Sequence, residues 1–519
     1  MKKIFQIVTL VLVIGSMAAC NKSFDSLEAD PNRATSVPAN LILNNVLLNF
    51  TNGGFSTKQR SNQYYLCNYD YYGNNEYNWT GYSFGGYNTL KNIAQMEAEA
   101  TKSVASPNPY TAIGKFLKAY FLYDLTMNLG DIPVSDALKG LTNVTPKYDT
   151  QKQVFQQILT YLEQANTEMG TLKTTNYVLA SDFYYGNDLS KWQKAVNAFK
   201  LRVLIQLSNK EADADLAIKA KFAETISNPT KYPVFASDAD NLTFVYNNQY
   251  NKYSTNPDNF GFDATRYNMS STYLGNLASL KDPRTFFVAE PASALVASGK
   301  LPNSYDAFAG AGAGEDLATM SKNAGDGKYS FINRKRYYQT YTAETTTQVG
   351  YQELCFNMAE AAHRGWITGQ SAETWYQNGI KASQAFYGVK EGANTVTFQK
   401  PNGTLAESVT YAVDYKYADY YAQATVKYAG SGTAGLNQIL LQKYLSLYQN
   451  SGAEGYYNWR RTGVPTFHTG PGTGNSQRVA LRYQYPSTER AVNKANVEAA
   501  IASQYGGADD INAKMWIIK

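Results

Sequence analysis

The feature that most constrains this chain is a set of apolar stripes at helical spacing, broken near the middle by a long stretch with no such period. Ile113, Phe116, Leu117, Tyr120, Tyr123 and Met127 form one stripe, stopped by Gly130 and Pro133. A second runs through Val154, Ile158, Tyr161, Leu162, Ala165 and Met169, opened by Thr150-x-x-Gln153, the pattern of a capping box. Trp192, Val196, Phe199, Val203 and Leu207 make a third. Cys355, Met358, Ala359, Ala362 and Trp366 make a fourth, and after a glycine-bearing turn Ala372, Trp375, Tyr376 and Ile380 make its hairpin partner. Leu436, Ile439, Leu440, Tyr444 and Leu447 follow, paired with a short aromatic helix from Ala453 to Arg461 that Gly463 and Pro465 end.

Small residues (Ala359, Ala361, Ala362, Gly379, Ala382) fall where the hairpin helices must approach closely, as in tetratricopeptide units. The interruption rules out a simple solenoid. The predicted fold is therefore mostly α: a tetratricopeptide-like scaffold of helix pairs over about 85–208 and 350–465, with a large loop-rich insertion and short strands. Residues 209–349, with 50–84, read as the loop-rich face, and one helix is predicted near Ser271 to Leu280, ending at Asp282-Pro283-Arg284. Binding residues concentrate on loops carried by a rigid scaffold. The tract Gly310-Ala311-Gly312-Ala313-Gly314 reads as a mobile loop.

The amino terminus addresses location. Lys2 and Lys3 precede an apolar run from Ile4 to Ile14 and the small-residue stretch Gly15 to Ala19, a secretion signal over 1–19. The run is too short to cross a hydrocarbon core, which needs about 20 apolar residues. Met17-Ala18-Ala19-Cys20 resembles a bacterial lipobox, which implies acylation of Cys20 and permanent attachment to a bilayer. Residues 20–32 read as a polar tether and 33–519 as a single domain. Without Lys2 and Lys3 the basic residues number 45 against 42 acidic, a balance of +3 that points to no nucleic acid. Cys67 and Cys355 make no disulfide framework and read as two separate buried thiols.

Several well-separated segments, in this order, carry a family resemblance: Asp30-Pro31-Asn32, KAYFLYDLTMNLGDIP (118–133), WQKAVNAFKLR (192–202), Asp282-Pro283-Arg284, AEAAHRGW (359–366), QKYLSLYQNSGAEGYYNWRRTGVP (442–465) and RYQYPSTERAVNKANV (482–497). Along essentially its whole length the chain resembles the SusD/RagB-like nutrient-binding lipoproteins, in their SusD-like branch. The resemblance implies four tetratricopeptide-like helix pairs and a loop-rich face capping a TonB-dependent, SusC-like barrel transporter at the outer membrane. It implies a ligand that is an oligosaccharide or, in a related branch, a peptide, and it implies no catalysis. The quoted motifs read as packing features, with Trp459, Arg460 and Arg461 in the scaffold or facing the transporter.

Motifs for chemistry are sparse. Neither His363 nor His468 has a partner at metal-ligand spacing, and no metal or cofactor is expected. Gly81-Tyr82-Ser83-Phe84-Gly85 matches the esterase pattern G-x-S-x-G, a distant alternative using Ser83, but YYGNNEYNWT (71–80) before it is not an apolar strand. Asn256 to Gly261 loosely resembles a calcium loop, with Phe260 and Tyr267 standing where ligands belong.

The chain carries 43 Tyr, 23 Phe and 6 Trp. Tyrosine joins an apolar face to a hydroxyl, so a Tyr- and Asn-rich exterior suits neutral hydroxylated ligands. The densest candidate site is Tyr69 to Tyr82. There Tyr71, Tyr72 and Trp79, with Tyr82, are expected to offer ring faces to sugars, and Asn74 and Asn75 to bond their hydroxyls. A second cluster includes Asn248, Tyr250, Asn256 and Arg266 and is expected to face the first. Lys335, Arg336, Tyr337 and Tyr338 are weaker candidates.

Overall fold

The computed structural model describes residues 36–519; the signal, Cys20 and the tether lie outside the described residues. The chain is mostly helical, and its strands form three two-stranded sheets. Twelve helices organise it: α1 (Ala39–Phe50), α2 (Gly85–Thr101), α3 (Pro109–Leu129), α4 (Gln151–Leu172), α5 (Leu189–Gln206), α6 (Ile218–Ser227), α7 (Leu317–Gly325), α8 (Tyr351–His363), α9 (Ala372–Phe386), α10 (Thr433–Ser446), α11 (Glu454–Thr462) and α12 (Lys494–Tyr505). Each predicted stripe lies on one of them. Helices α2 with α3, α4 with α5, α8 with α9 and α10 with α11 pack as neighbours, and α5 also packs on α8.

Local chemistry fixes the helix ends. Asn108 Oδ1 accepts from the backbone N–H of Tyr110 and Thr111 at 3.0 and 3.1 Å, Thr111 Oγ1 accepts from Asn108 N–H, and Pro109 opens α3. At α4 the capping box foreseen at Thr150 and Gln153 is present. Gly130, at φ 89°, ends α3.

The insertion holds more order than its sequence suggests. It contains α6 and α7, and the segment after Ser270 is a five-residue π-type turn, Ser271–Gly275, leading into the short helix Asn276–Ser279. A β-hairpin, β5 (Gly392–Gln399) with β6 (Ser408–Tyr415), rises from the second half of the scaffold in full antiparallel register. The other sheets pair β1 (Tyr65–Cys67) with β3 (Tyr267–Met269), and β2 (Leu242–Phe244) with β4 (Thr346–Val349).

The glycine-rich tract 310–314 is packed rather than mobile. Ala311 and Ala313 are buried, and Ala311 N–H donates to Met269 O at 2.8 Å. A Cβ on Gly310 would lie 2.4 Å from the Ser270 carbonyl carbon, and one on Gly314 2.1 Å from that of Thr469. Glycine is required here because backbone lies on backbone.

Of the 43 tyrosines 19 are buried, and most of the others pack against the core. Tyr273 and Tyr448 stack at 4.5 Å, beside Tyr64 and Tyr444 at 4.7 Å. The hydroxyls of Tyr64, Tyr273 and Tyr444 find backbone carbonyls, as when Tyr64 donates to Tyr444 O and Tyr444 to Asn62 O, and that of Tyr448 meets Met269 Sδ. A buried phenol needs such a partner, so the aromatic composition reports mainly on the core.

Buried ion pairs tie the scaffold together, one of them across its two halves. Arg202 on α5 forks onto Glu353 on α8 (2.7 and 2.5 Å) and donates to Gln348 O at 2.7 Å. Arg461 on α11 forks onto Glu360 on α8 (2.6 and 2.8 Å), placing it in the scaffold as its motif suggested. Trp459 stacks flat on Phe467 at 4.6 Å, and Arg460 donates to Leu481 O. Arg284 forks onto Asp282 and reaches Ser383 on α9 and Gln442 on α10, which explains the Asp-Pro-Arg motif.

Cys67 and Cys355 are buried and unpaired, and burial pushes their thiols up to about 11 and about 12. Among the described residues no helix is long and apolar enough to cross a membrane.

Burial by itself raises the Glu360 carboxyl, but the charge and hydrogen bonds of Arg461, with Arg364 and Lys443 nearby, outweigh it and bring Glu360 down to about 2. A depressed carboxylate contributes stability above its unfolded value near 4.5 that is lost as pH falls toward 2. Arg461→Met is therefore expected to cost about 3 kcal/mol at neutral pH by leaving a charge buried. In urea titrations its gap to the wild type should narrow between pH 4.5 and 2; a gap constant with pH would refute this account. Alkylation of the native protein followed by peptide mapping should leave Cys67 and Cys355 unlabelled, and unfolding should expose both.

Candidate functional site: an aromatic tip beside a cavity

The site is assembled by the shortest sheet. β1 and β3 are 200 residues apart in sequence, and their pairing sets Cys67 opposite Tyr267. The ladder continues one step, with Asn68 N–H donating to Arg266 O at 3.0 Å and Asn68 Nδ2 to Thr265 O at 2.9 Å. Ser321 on α7 donates to Asn68 O at 2.6 Å. The loop leaving β1 is thus fixed beside the loop entering β3.

That loop is closed by a side chain. Asn75 Oδ1 accepts from Cys67 N–H at 2.9 Å and Asn75 Nδ2 donates to Cys67 O at 2.7 Å, completing a strand-like pair with its amide. Gly73 sits at φ 155°, where a Cβ would meet the Arg60 guanidinium at 2.5 Å. Arg60 in turn donates to Tyr65 Oη and to Asn74 O. Asn74 Oδ1 accepts from Glu76 N–H at 2.7 Å, an Asx turn that leaves the residue exposed.

Between these clamps the segment Tyr69–Tyr72 carries three rings, two exposed and that of Tyr72 half-buried. Tyr71 is 80% exposed and Tyr69 48%. Tyr69 and Tyr71 lie 6.3 Å apart and near parallel, and Tyr72 meets Tyr71 edge-on at 5.1 Å. The Arg266 guanidinium sits over the Tyr69 ring at 5.4 Å. Arg266, expected in the second cluster, thus belongs to the first.

Arg266 and Asn68 also line a cavity of about 360 Å³. Its walls include Tyr329, Phe331, Phe398 and Tyr411, and β5, β6 and α7 border it. Glu290 and Arg334, both buried, meet in its lining at 2.7 and 2.9 Å and neutralise each other. Burial raises the Glu290 carboxyl despite Arg334. The cavity therefore combines ring faces with polar side chains such as Asn68, Arg266, Ser321, Gln399 and Asn402, a ligand-pocket composition.

Other candidates have structural work. Trp79 is stacked on Tyr483 at 4.1 Å and 6°, with Tyr456 at 5.2 Å, so one ring face is already covered. Tyr82 donates to Asp124 at 2.5 Å, and Asp124 also pairs with Lys58. Asn75 serves the loop, as above. Asn256 is buried, accepting from Asp258 N–H and donating to Tyr253 O, so its amide closes a turn. The calcium-like stretch is this turn, and among the described residues no acidic or histidine cluster suits a metal.

Tyr337 and Tyr338 are in the core, Arg336 pairs with Glu344, and Lys335 donates to Leu405 O. Ser83 Oγ accepts from Gly85 N–H at the start of α2, and no strand leads directly into it. His363 Nδ1 is bonded to Tyr428 Oη at 2.8 Å rather than to Ser83.

Asn248 and the 87% exposed Tyr250 lie on a different loop, beside Tyr246 and Tyr341. A column of rings separates them from the tip: Tyr246 to Tyr253 at 4.9 Å, Tyr253 to Phe55 at 6.2 Å, Phe55 to Tyr267 at 6.0 Å and Tyr267 to Tyr72 at 6.5 Å. The two clusters do not share a cavity.

Tyr329, Phe331, Phe398 and Tyr411 are absent from the sequence-based candidates. The alternation Val396, Phe398 and Val409, Tyr411, Val413 was the available signal for the hairpin. Nothing local signals that it stands against Arg266.

The comparisons with known proteins agree with this architecture. No curated protein matches the chain. Among solved structures, two SusD homologues of Bacteroides fragilis match at 29% identity with TM-score 0.80 and at 28% with TM-score 0.76, each covering 93% of this chain and 100% of its own. A chitin-binding SusD homologue from Flavobacterium johnsoniae, at 19% identity, shares the fold, with TM-score 0.67 over 93% of this chain and 98% of its own. The family model described as starch-binding and associating with the outer membrane matches residues 31–486. With nearly the whole folded chain so matched, the protein belongs to the SusD-like family.

Proposed function

We propose that the protein is a cell-surface lipoprotein, anchored through Cys20, that captures an oligosaccharide at the Tyr69–Tyr72 tip and the adjoining cavity. It passes the sugar, chemically unaltered, to a TonB-dependent, SusC-like barrel in the outer membrane. The observation that carries this reading is a group of mutually braced tyrosine rings, Tyr69 and Tyr71 exposed and Tyr72 half-buried, joined through Arg266 to an aromatic-walled cavity. Large rings held out of the core cost solvation and gain nothing for the fold. They suit a partner with an apolar face and a hydroxylated rim, which a pyranose has. Membership of a family described as starch-binding supports a glycan, and the same fold carries chitin binding in the Flavobacterium johnsoniae protein.

Ser83, bonded only to its own helix start, supplies no nucleophile–base pair, which favours capture over turnover. An oligopeptide is the competing ligand. Capture of its charged termini would weaken as salt rises, whereas ring stacking on a neutral sugar would not.

Tyr71→Ala and Tyr72→Ala should each weaken binding of the cognate glycan by about tenfold or more, roughly 1.4 kcal/mol, with an unchanged circular dichroism spectrum. Trp79→Ala should instead lower the melting temperature. Calorimetric titration showing intact affinity in both tyrosine variants would remove the tip from the site. Asn75→Ala loses two hydrogen bonds, about 1–2 kcal/mol, and should loosen the loop enough to weaken ligand binding although its amide faces the chain. Unchanged affinity in that variant would show that the tip holds its shape without the clamp.

A further inference from the structure

Arg266 stands apart from the other arginines of the described residues. Arg202, Arg284, Arg334, Arg336, Arg364, Arg461, Arg482 and Arg490 each meet a carboxylate. Arg60, Arg460 and Arg478 donate to protein oxygens. The Arg266 guanidinium makes no hydrogen bond to any described residue, and no described carboxylate lies within 4.0 Å of it. Its Nε is buried without a partner. The nearby Asp263 carboxylate is engaged by Tyr338 at 2.6 Å and Tyr267 at 3.3 Å.

This cation is nonetheless held in place. Its backbone is locked by the ladder to Asn68 and by its own N–H to Asp263 O at 2.8 Å, and its plane rests over Tyr69. It lines the cavity, where the other two charges, Glu290 and Arg334, cancel. One uncompensated positive charge therefore faces a cavity bordered by sugar-sized ring surfaces. A fixed guanidinium is a fork of N–H donors matched to a carboxylate, and the bond is stronger where water is partly excluded. A site built only for neutral hydroxyls gains little from leaving its cation unpaired, since a half-buried charge without a partner costs free energy.

Resting on the glycan reading above, we infer that the site selects an acidic sugar. Arg266 receives the carboxylate of a uronic acid residue while Tyr69, Tyr71 and Tyr72 take the ring faces of that residue or its neighbours. The tip supplies affinity for the carbohydrate and Arg266 supplies the choice of charge. A peptide carboxylate would satisfy Arg266 equally, but the near-parallel Tyr69 and Tyr71 rings favour flat saccharide faces.

The test is calorimetric titration of the whole mature protein with oligogalacturonates and oligoglucuronates, their methyl esters, and neutral malto-, xylo- and chito-oligosaccharides, with short acidic peptides as a further arm. Wild type and Arg266→Gln, Arg266→Lys and Tyr71→Ala variants are compared at low and high salt. The expected result is an acidic oligosaccharide bound about tenfold or more tighter than its methyl ester at low salt. Arg266→Gln should abolish that preference, acid and ester then binding alike. Arg266→Lys should restore part of it, because charge returns without the fork, and Tyr71→Ala should weaken acid and ester alike.

If neutral sugars or esters bind as tightly as acids and Arg266→Gln changes nothing, the selection is refuted and glycan capture stands. If acidic peptides bind through Arg266 and no glycan binds, both readings fall. If nothing in the panel binds, both are likewise refuted for these sugar classes.

Discussion

The fork of Arg202 onto Glu353 is the joint on which the rest of the structure depends. It links the end of the first helical half to the start of the second across 151 residues of sequence, and a third donation ties Gln348 just before α8. The long insertion thus leaves and re-enters the scaffold at nearly one point. Such a pair is weak as a source of net stability, because desolvating two charges offsets most of their attraction. Its value is geometric, since neither charge tolerates another position once buried. Arg461 on Glu360 repeats the device two turns of helix later and draws the last scaffold helix onto the same face of α8.

With both ends of the insertion pinned, short contacts suffice to organise it. Three residues of β1 on three of β3 would be a marginal sheet alone, but here each strand is buried on a rigid support. The same pairing that closes the fold places Asn68 beside Arg266 and so builds the site. The proposed site and the fold share one ladder, and the tip rises from it on two clamps, the Asn75 amide and the glycine at 73.

The scaffold was legible because helices declare themselves locally. The spacing of Ile113 to Met127, the Thr150–Gln153 box and the small residues of the α8–α9 hairpin need no distant partner to be read. The site was legible only in part, for the opposite reason. The crowding of rings at 69–72 was visible, but Trp79 and Tyr82 have the same composition as Tyr71, and only the fold shows that Tyr483 and Asp124 occupy them. Arg266 was named with the wrong neighbours, since sequence proximity suggested Asn256 and Tyr250 whereas strand pairing gives Tyr69. The tract 310–314 misled because glycine has two uses. Freedom and close approach look alike until the backbone of Ser270 and Thr469 is seen against it.

The manner in which the tip is held has an evolutionary consequence. Residues 69–72 are fixed at both ends by backbone atoms and by the amide of Asn75, while the exposed Tyr69 and Tyr71 contribute little to the interior. If the site is as proposed, a lineage that exchanges those side chains, and the residue at 266 with them, changes its diet while the supporting architecture drifts hardly at all. Close relatives with nearly superimposable frames should then differ in taste at this turn before they differ anywhere in the helices.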